Sequence, residues 1–185
     1  EISTDIASRE FKDLFQEFPG DHPKSPFLIE KSIRMATKPG DIIMDFFAGY
    51  CTSAQAVFEV NSSERAHRKF IMVQLPEEVE ENSAERAAGF GTISEIGRER
   101  IRRAGSIYAE RGDSRNIGFR AFQLGSSNFG LWDGSVEEAN DQDLIDRIAA
   151  HGEHVDPAAA SEDILFELLL KDGFPLTVPL ECLKV

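Results

Sequence analysis

The stretch Asp41-Ile-Ile-Met-Asp-Phe-Phe-Ala-Gly-Tyr-Cys-Thr-Ser-Ala-Gln-Ala-Val57 constrains this chain more than any other. An apolar run ends on an acid, passes through a small-residue turn and enters a helix-spaced pattern. Residues 42–46 read as a short apolar strand of the kind buried in a parallel sheet. Residues 52–60 read as a helix packing Ala54, Val57 and Phe58. In an open α/β sheet, ligands settle beyond the carboxyl ends of strands, where the next helix begins. Residues 46–52 take that place, and exposed backbone N–H groups there suit a carboxylate or a phosphate. The spacing is not G-x-G-x-x-G, since Gly49 is the only glycine between Gly40 and Gly89, and there is no Gly-Lys-Ser/Thr. Taken alone, the pattern fits a structural turn as well as a binding turn.

The flanking sequence extends an α/β order. Residues 5–16 form a helix with Ala7, Phe11, Leu14 and Phe15 on one face. A rigid proline loop follows, then Ser25 as a cap with Pro26 at the first helical position. Lys38-Pro39-Gly40 stops that helix. Residues 68–75 are a second strand, closed by Pro76, and a polar, acidic linker follows. Thr92 or Ser94 opens a helix through residue 109, residues 117–124 alternate like a third strand, and Ser161 caps a helix over 164–171. This succession predicts a partial, mostly parallel Rossmann-like sheet with right-handed crossovers and helices on both faces.

Charge divides the chain. Residues 126–172 carry 12 acids against Arg147 and Lys171, a net of −10, whereas residues 1–125 carry a net of −3. An acidic surface repels phosphate, so that region does not lie on a nucleic acid backbone; it is a solubilising face or docks a basic partner. Cys51 and Cys182 are 131 positions apart and make neither a disulfide framework nor a zinc site, as expected of a reducing cytoplasm. No apolar segment is long enough to span a membrane. The opening Glu1, without an initiator Met, leads to the expectation of a fragment or a processed product.

Asp45-Phe-Phe-Ala-Gly49 resembles the Asp-Phe-Phe-Ala-Gly-Ser-Gly-Thr-Thr-Ala motif of DNA methyltransferases that use S-adenosylmethionine (AdoMet). Arg68-Lys-Phe-Ile-Met-Val-Gln-Leu-Pro-Glu77, Thr92-Ile-Ser-Glu-Ile-Gly-Arg-Glu-Arg-Ile-Arg-Arg103, Gly118-Phe-Arg-Ala-Phe-Gln-Leu124 and Leu165-Phe-Glu-Leu-Leu-Leu-Lys-Asp-Gly173 are similar to one subfamily. Ser127-Asn-Phe129 with Trp132, and upstream residues 5–15 and His22-Pro-Lys-Ser25, fit the same comparison. That subfamily is the modification subunit of type III restriction–modification systems, a permuted β-class adenine-N6 methyltransferase. The resemblance implies that a catalytic Asp-Pro-Pro-Tyr and the target-recognition region come first and the cofactor lobe last. This chain has no Pro-Pro, and Asp156-Pro157 is followed by Ala158-Ala159, with no ring to stack on a flipped base. Residues 1–125 are therefore expected to be the AdoMet-binding half, inactive alone. Residues 126–185 are expected to be an acidic extension packed on that lobe or docking a partner.

By resemblance, Asp45, Phe46, Phe47, Ala48, Gly49 and Thr52 belong to the cofactor site. Asp45 suits the amino group of the methionine part, with the alternative that it caps the turn. If the strand continues, Phe46 and Phe47 face opposite ways, one to the cofactor and one to the core. Gln74 stands where related enzymes place an acid for the ribose hydroxyls; His22, Lys24 and Ser25 belong to the loop that crosses the methionine end. No catalytic or metal-binding residue is expected. His151 and His154 read as surface residues, and Arg98, Arg100, Arg102 and Arg103 as partners of Glu95 and Glu99 on a helix face. Partners implied are DNA through the N-terminal part, a restriction subunit and a possible second modification subunit, in the cytoplasm and away from membranes.

Tyr50-Cys51 departs from the family's Ser-Gly. A non-glycine residue at positive φ costs of order 1 kcal/mol or more, whereas a negative φ at Cys51 costs little. Tyr50 either covers the ligand or stands in its way. A second reading follows, a non-catalytic docking module whose cofactor motif has decayed. A nicotinamide-dependent enzyme, the third reading, lacks its second and third glycines.

Overall fold

The computed structural model describes residues 4–18, 23–112, 117–130, 145–146 and 155–181. Two compact units divide the chain, Glu1–Phe119 and Arg120–Val185. In the first, α1 (Thr4–Leu14), α2 (Pro26–Ala36), β1 (Ile42–Asp45), α3 (Thr52–Glu64), β2 (Lys69–Met72), α4 (Ala84–Ala87) and α5 (Ile93–Glu110) follow in order; α6 (Ser161–Lys171) lies in the second. His22, Trp132, His151 and His154 fall outside the described residues.

Strands β1 and β2 pair in parallel, Ile42 opposite Lys69 and Asp45 opposite Met72, with α3 as the crossover. Their inward residues Ile43, Phe70 and Met72 pack on Ile33, Val57, Val60, Phe58 and Ile101. The helix-to-strand corner is fixed by Asn61, whose side chain exchanges two 2.8 Å bonds with the Arg68 backbone. Buried Arg68 in turn reaches Glu64 at 2.7 Å and Thr37 Oγ1 at 2.8 Å.

Three expectations are corrected. Residues 117–124 form no strand. Ile117 and Phe119 instead pack on the α3–α5 cluster, where Gly105 lets the chain approach closely: a Cβ there would lie 3.1 Å from the Ile117 carbonyl oxygen. The period-two pattern is thus satisfied by packing on a helix and not by a ladder. Among the described residues, helices cover one face of the sheet only. Ile42, Met44 and Ile71 line its exposed side, so the expected helices on both faces are not found and the sheet described is two-stranded. Finally, α6 begins at Ser161 with Ala160 as an extended cap that offers no side-chain bond. Ser161 itself is already helical and cannot serve as the cap.

Other signals hold. Ser25 caps α2 and Pro26 starts it. Thr92 and Glu95 make a reciprocal capping box at the start of α5. Helix α1 brings Phe11, Phe15 and Phe18 together with Phe90 in an aromatic cluster. In the second unit, Glu167 of α6 accepts bonds from the Asn128 backbone at 2.7 Å, the Asn128 side chain at 2.8 Å and Ser127, and pairs with Lys171 at 2.7 Å. Phe122 packs edge-on against Phe166.

Candidate ligand site at the β1–α3 turn

The turn between β1 and α3 sits at the carboxyl ends of both strands and is held from each of them. From β1, Asp45 uses both carboxylate oxygens: Oδ1 accepts from the Phe47 N–H at 3.2 Å and Oδ2 from the Ser53 hydroxyl at 2.5 Å. From β2, the Val73 carbonyl accepts from the Ala48 N–H at 3.1 Å, and Gln74 Oε1 accepts from the Gly49 N–H at 2.7 Å. Cys51 N–H closes the turn on Ala48 O at 2.7 Å. Four of the turn's donors are therefore occupied by protein. Thr52 and Ser53, the first residues of the 13-residue helix α3, keep N–H groups with no partner among the described residues. At Gly49 a Cβ would meet nothing within 4 Å, so the space over the glycine is open.

Cys51 has φ 55° and Gly49 φ 51°, both left-handed. The positive φ at a non-glycine residue is the costly branch of the sequence expectation. Its effect on space is the opposite of an obstruction, because the side chain turns inward and is 6 % exposed. There it faces Gly97 of α5, where an added Cβ would lie 2.7 Å from Cys51 Sγ and 3.0 Å from Gly49 O. Burial pushes the thiol up to about 11. Tyr50 also leaves the turn: its ring packs on Phe11 at 5.4 Å and its hydroxyl reaches buried Glu85 at 3.4 Å.

Phe46 and Phe47 do not divide between ligand and core. Both are exposed, at 62 % and 83 %, with ring centroids 5.1 Å apart. The strand ends at Asp45, so the alternation that would send one ring inward stops before reaching them. Ala48 is buried beneath the turn. Ser25 donates to Glu10 at 2.7 Å and accepts from Phe27 N–H; Lys24 is exposed. Among the described residues, no hydrogen bond joins Lys24 or Ser25 to the turn.

Arg100 differs from the surface ion pairing read for its cluster. Arg98, Arg102 and Arg103 do pair with Glu95 and Glu99, but Arg100 is 1 % exposed behind the turn. It donates to Thr52 Oγ1 at 2.7 Å and to Gln55 Oε1 at 2.8 Å, and lies over the Phe11 ring. Loss of water brings its pKa down to about 10. Its position was legible, since Ile96, Arg100 and Ala104 recur every four residues on one helix face. Ser53 carried no such signal. No group of metal-ligating side chains and no membrane-length apolar helix occurs among the described residues.

No protein-family model matches the chain. Among curated proteins it is 28 % identical to the type III restriction–modification enzyme StyLTI Mod subunit of Salmonella typhimurium, over 94 % of this chain and 30 % of that protein. It is 32 % identical to the EcoP15I Mod subunit of Escherichia coli, over 95 % of this chain and 26 % of that one. The type II methyltransferase M.KpnI of Klebsiella pneumoniae matches half of the chain at 32 % identity. The chain spans less than a third of the length of the two Mod subunits. It belongs to the family of type III restriction–modification Mod subunits, corresponding to part of their length.

Proposed function

We propose that this chain is the AdoMet-binding part of a site-specific DNA adenine-N6 methyltransferase. The observation that carries the reading is the turn itself, pinned at the carboxyl ends of two parallel strands, with the Thr52 and Ser53 N–H groups unclaimed among the described residues and open space over Gly49. Residues 45–49 with Thr52 form the floor of the site, and Gln74 its second wall. Phe46 and Phe47 offer exposed ring faces to an adenine. Asp45 keeps lone pairs beyond its two bonds for an ammonium group. Lys24 and Ser25, with His22, are assigned to the methionine end. When bound, AdoMet supplies the methyl group; the residues of this chain bind and orient, a contribution through proximity with no acid–base step.

In the whole protein, polypeptide outside this chain supplies the catalytic motif and the DNA contact. A restriction subunit and a second Mod subunit are its partners, in the cytoplasm. Residues 1–125 act as the cofactor lobe, and residues 126–185 as an acidic extension. This chain alone transfers no methyl group.

Calorimetric titration with AdoMet, with NAD as control, tests the reading. Saturable AdoMet binding supports it, and binding of NAD alone overturns it. The positive φ at Cys51 and the commitment of Asp45 and Gln74 to the turn favour one competitor, a docking module with a decayed site. No AdoMet binding by the chain, by its Cys51→Gly variant or by a longer Mod chain containing it would establish that competitor.

A further inference from the structure

We infer that Gln74 is the positioning residue of the turn, and that it faces a bound nucleoside as an uncharged amide, through Nε2 and the second lone pair of Oε1. The inference rests on the cofactor-site reading for its ligand, but its first half is a statement about the protein alone. Gly49 N–H is a donor and can only be met by an acceptor, so the atom 2.7 Å away is the Gln74 side-chain carbonyl. That leaves the Nε2 amide on the other branch. It makes no bond within the described residues, and among these no buried side-chain nitrogen is left without a partner, so Nε2 is not buried. Gln74 is half-buried and follows directly on Val73, whose backbone bonds both Asp45 and Ala48, so its side chain starts from a fixed point.

Charge explains why an amide serves here. Asp45, at the end of the neighbouring strand, already places one carboxylate against the turn through Phe47 and Ser53. An acid at position 74 would set a second one nearby, and like charges at adjacent strand ends oppose each other. The amide holds the glycine without that repulsion. The consequence is chemical. A carboxylate accepts from ribose hydroxyls through charge-assisted bonds, whereas Nε2 and the second lone pair of Oε1 make only neutral bonds to a hydroxyl. The site therefore reads a ribose hydroxyl weakly.

Two measurements on this chain test the inference. The first is amide exchange of Gly49 by NMR in the wild type, Gln74→Glu and Gln74→Leu. Exchange in Gln74→Leu should be faster by roughly five- to tenfold, the loss of one hydrogen bond, while Gln74→Glu stays slow because its carboxylate also accepts. Unchanged exchange in Gln74→Leu would overturn the positioning role. The second is titration with S-adenosylhomocysteine and its 2′-deoxy and 3′-deoxy analogues. Wild type should lose no more than about threefold on removal of either hydroxyl, and Gln74→Glu about tenfold or more. A purely structural Gln74 would leave these ratios unchanged between the two proteins, and that result sinks the nucleoside-facing role. If S-adenosylhomocysteine binds none of the proteins, the cofactor reading and the nucleoside half fall together, while Gly49 exchange still decides the positioning half.

Discussion

The contact between Cys51 and Gly97 supports a prediction whose size follows from the structure. In Gly97→Ala the new methyl would sit 2.7 Å from Cys51 Sγ and 3.0 Å from the Gly49 carbonyl oxygen. The backbone oxygen cannot swing away, so something in the turn must shift. Overpacking of this kind costs typically about 1–3 kcal/mol, and two short contacts argue for the upper end. Alanine inside α5 returns roughly 1 kcal/mol of helix propensity over glycine. The net expectation is a destabilisation of about 2 kcal/mol. Cys51→Gly relieves roughly 1–2 kcal/mol of left-handed backbone cost and loses a comparable amount of buried side chain, so it is near neutral. In the double variant the sulfur is gone and the alanine methyl enters the vacated space. Only the contact with Gly49 O persists, so the pair should be less destabilised than the singles sum to, by about 1–2 kcal/mol. Urea denaturation of the four proteins, followed by far-ultraviolet circular dichroism, measures the cycle. A Gly97→Ala chain as stable as wild type, or singles that add to within about 0.5 kcal/mol, would refute the packing account.

Three further outcomes are expected. Thr92→Ala removes one half of the capping box at α5 and should cost about 1 kcal/mol in the same denaturation assay, with little change on replacing exposed Ser106. The Arg103 guanidinium, bonded to Glu17 at 2.8 Å and 2.9 Å, holds that carboxyl down to about 2 from its usual 4.5. Because the folded value is depressed, the stabilisation is complete above pH 4.5 and lost as pH falls toward 2. The melting-temperature gap between wild type and Arg103→Gln should therefore close across that window, and a gap constant with pH would contradict it. Finally, the Cys51 thiol, raised to about 11, is neutral at pH 8. In a Cys182→Ser background, a disulfide reagent should label Cys51 only at the rate of unfolding, read as label uptake with and without urea.

Much of the fold was legible because several signals agreed at each place. Pro26 behind Ser25 joined a capping preference to a periodic apolar face and is found as read; of the two residues offered for the start of α5 it is Thr92 that caps, and the strand read over residues 42–46 ends at Asp45. Where only one signal was present, the reading failed. Residues 117–124 alternate, but alternation says only that every second side chain is buried. Ile117 and Phe119 meet that condition against α3 and α5, with no strand beside them. Ser161 is a good capping residue by type, yet the helix starts at Ser161 itself, ahead of the apolar pattern read from residue 164, so the cap falls on Ala160.

At the candidate site the sequence placed Asp45, Gly49 and Gln74 at one turn, but not the directions of their side chains. A carboxylate at a strand end can face the ligand or the turn, and its type is the same in both cases. The turn's own geometry decides. Left-handed backbone at Gly49 and again at Cys51 folds the segment back on itself. Phe47 N–H is thereby brought onto Asp45 and Gly49 N–H onto Gln74, while Cys51 is sent toward Gly97. A glycine at 51 would permit the same path at lower backbone cost, but it would leave the gap opposite Gly97 empty. The departure from the family's Ser-Gly therefore has its counterpart across the helix, and the bulky pair that looked like an obstruction is packing. Tyr50 fills the aromatic cluster of α1, Cys51 fills the notch of α5, and the space over Gly49 stays open. That matched filling, visible only once helix and turn are set side by side, is why two large residues can stand in this turn without closing the space over Gly49.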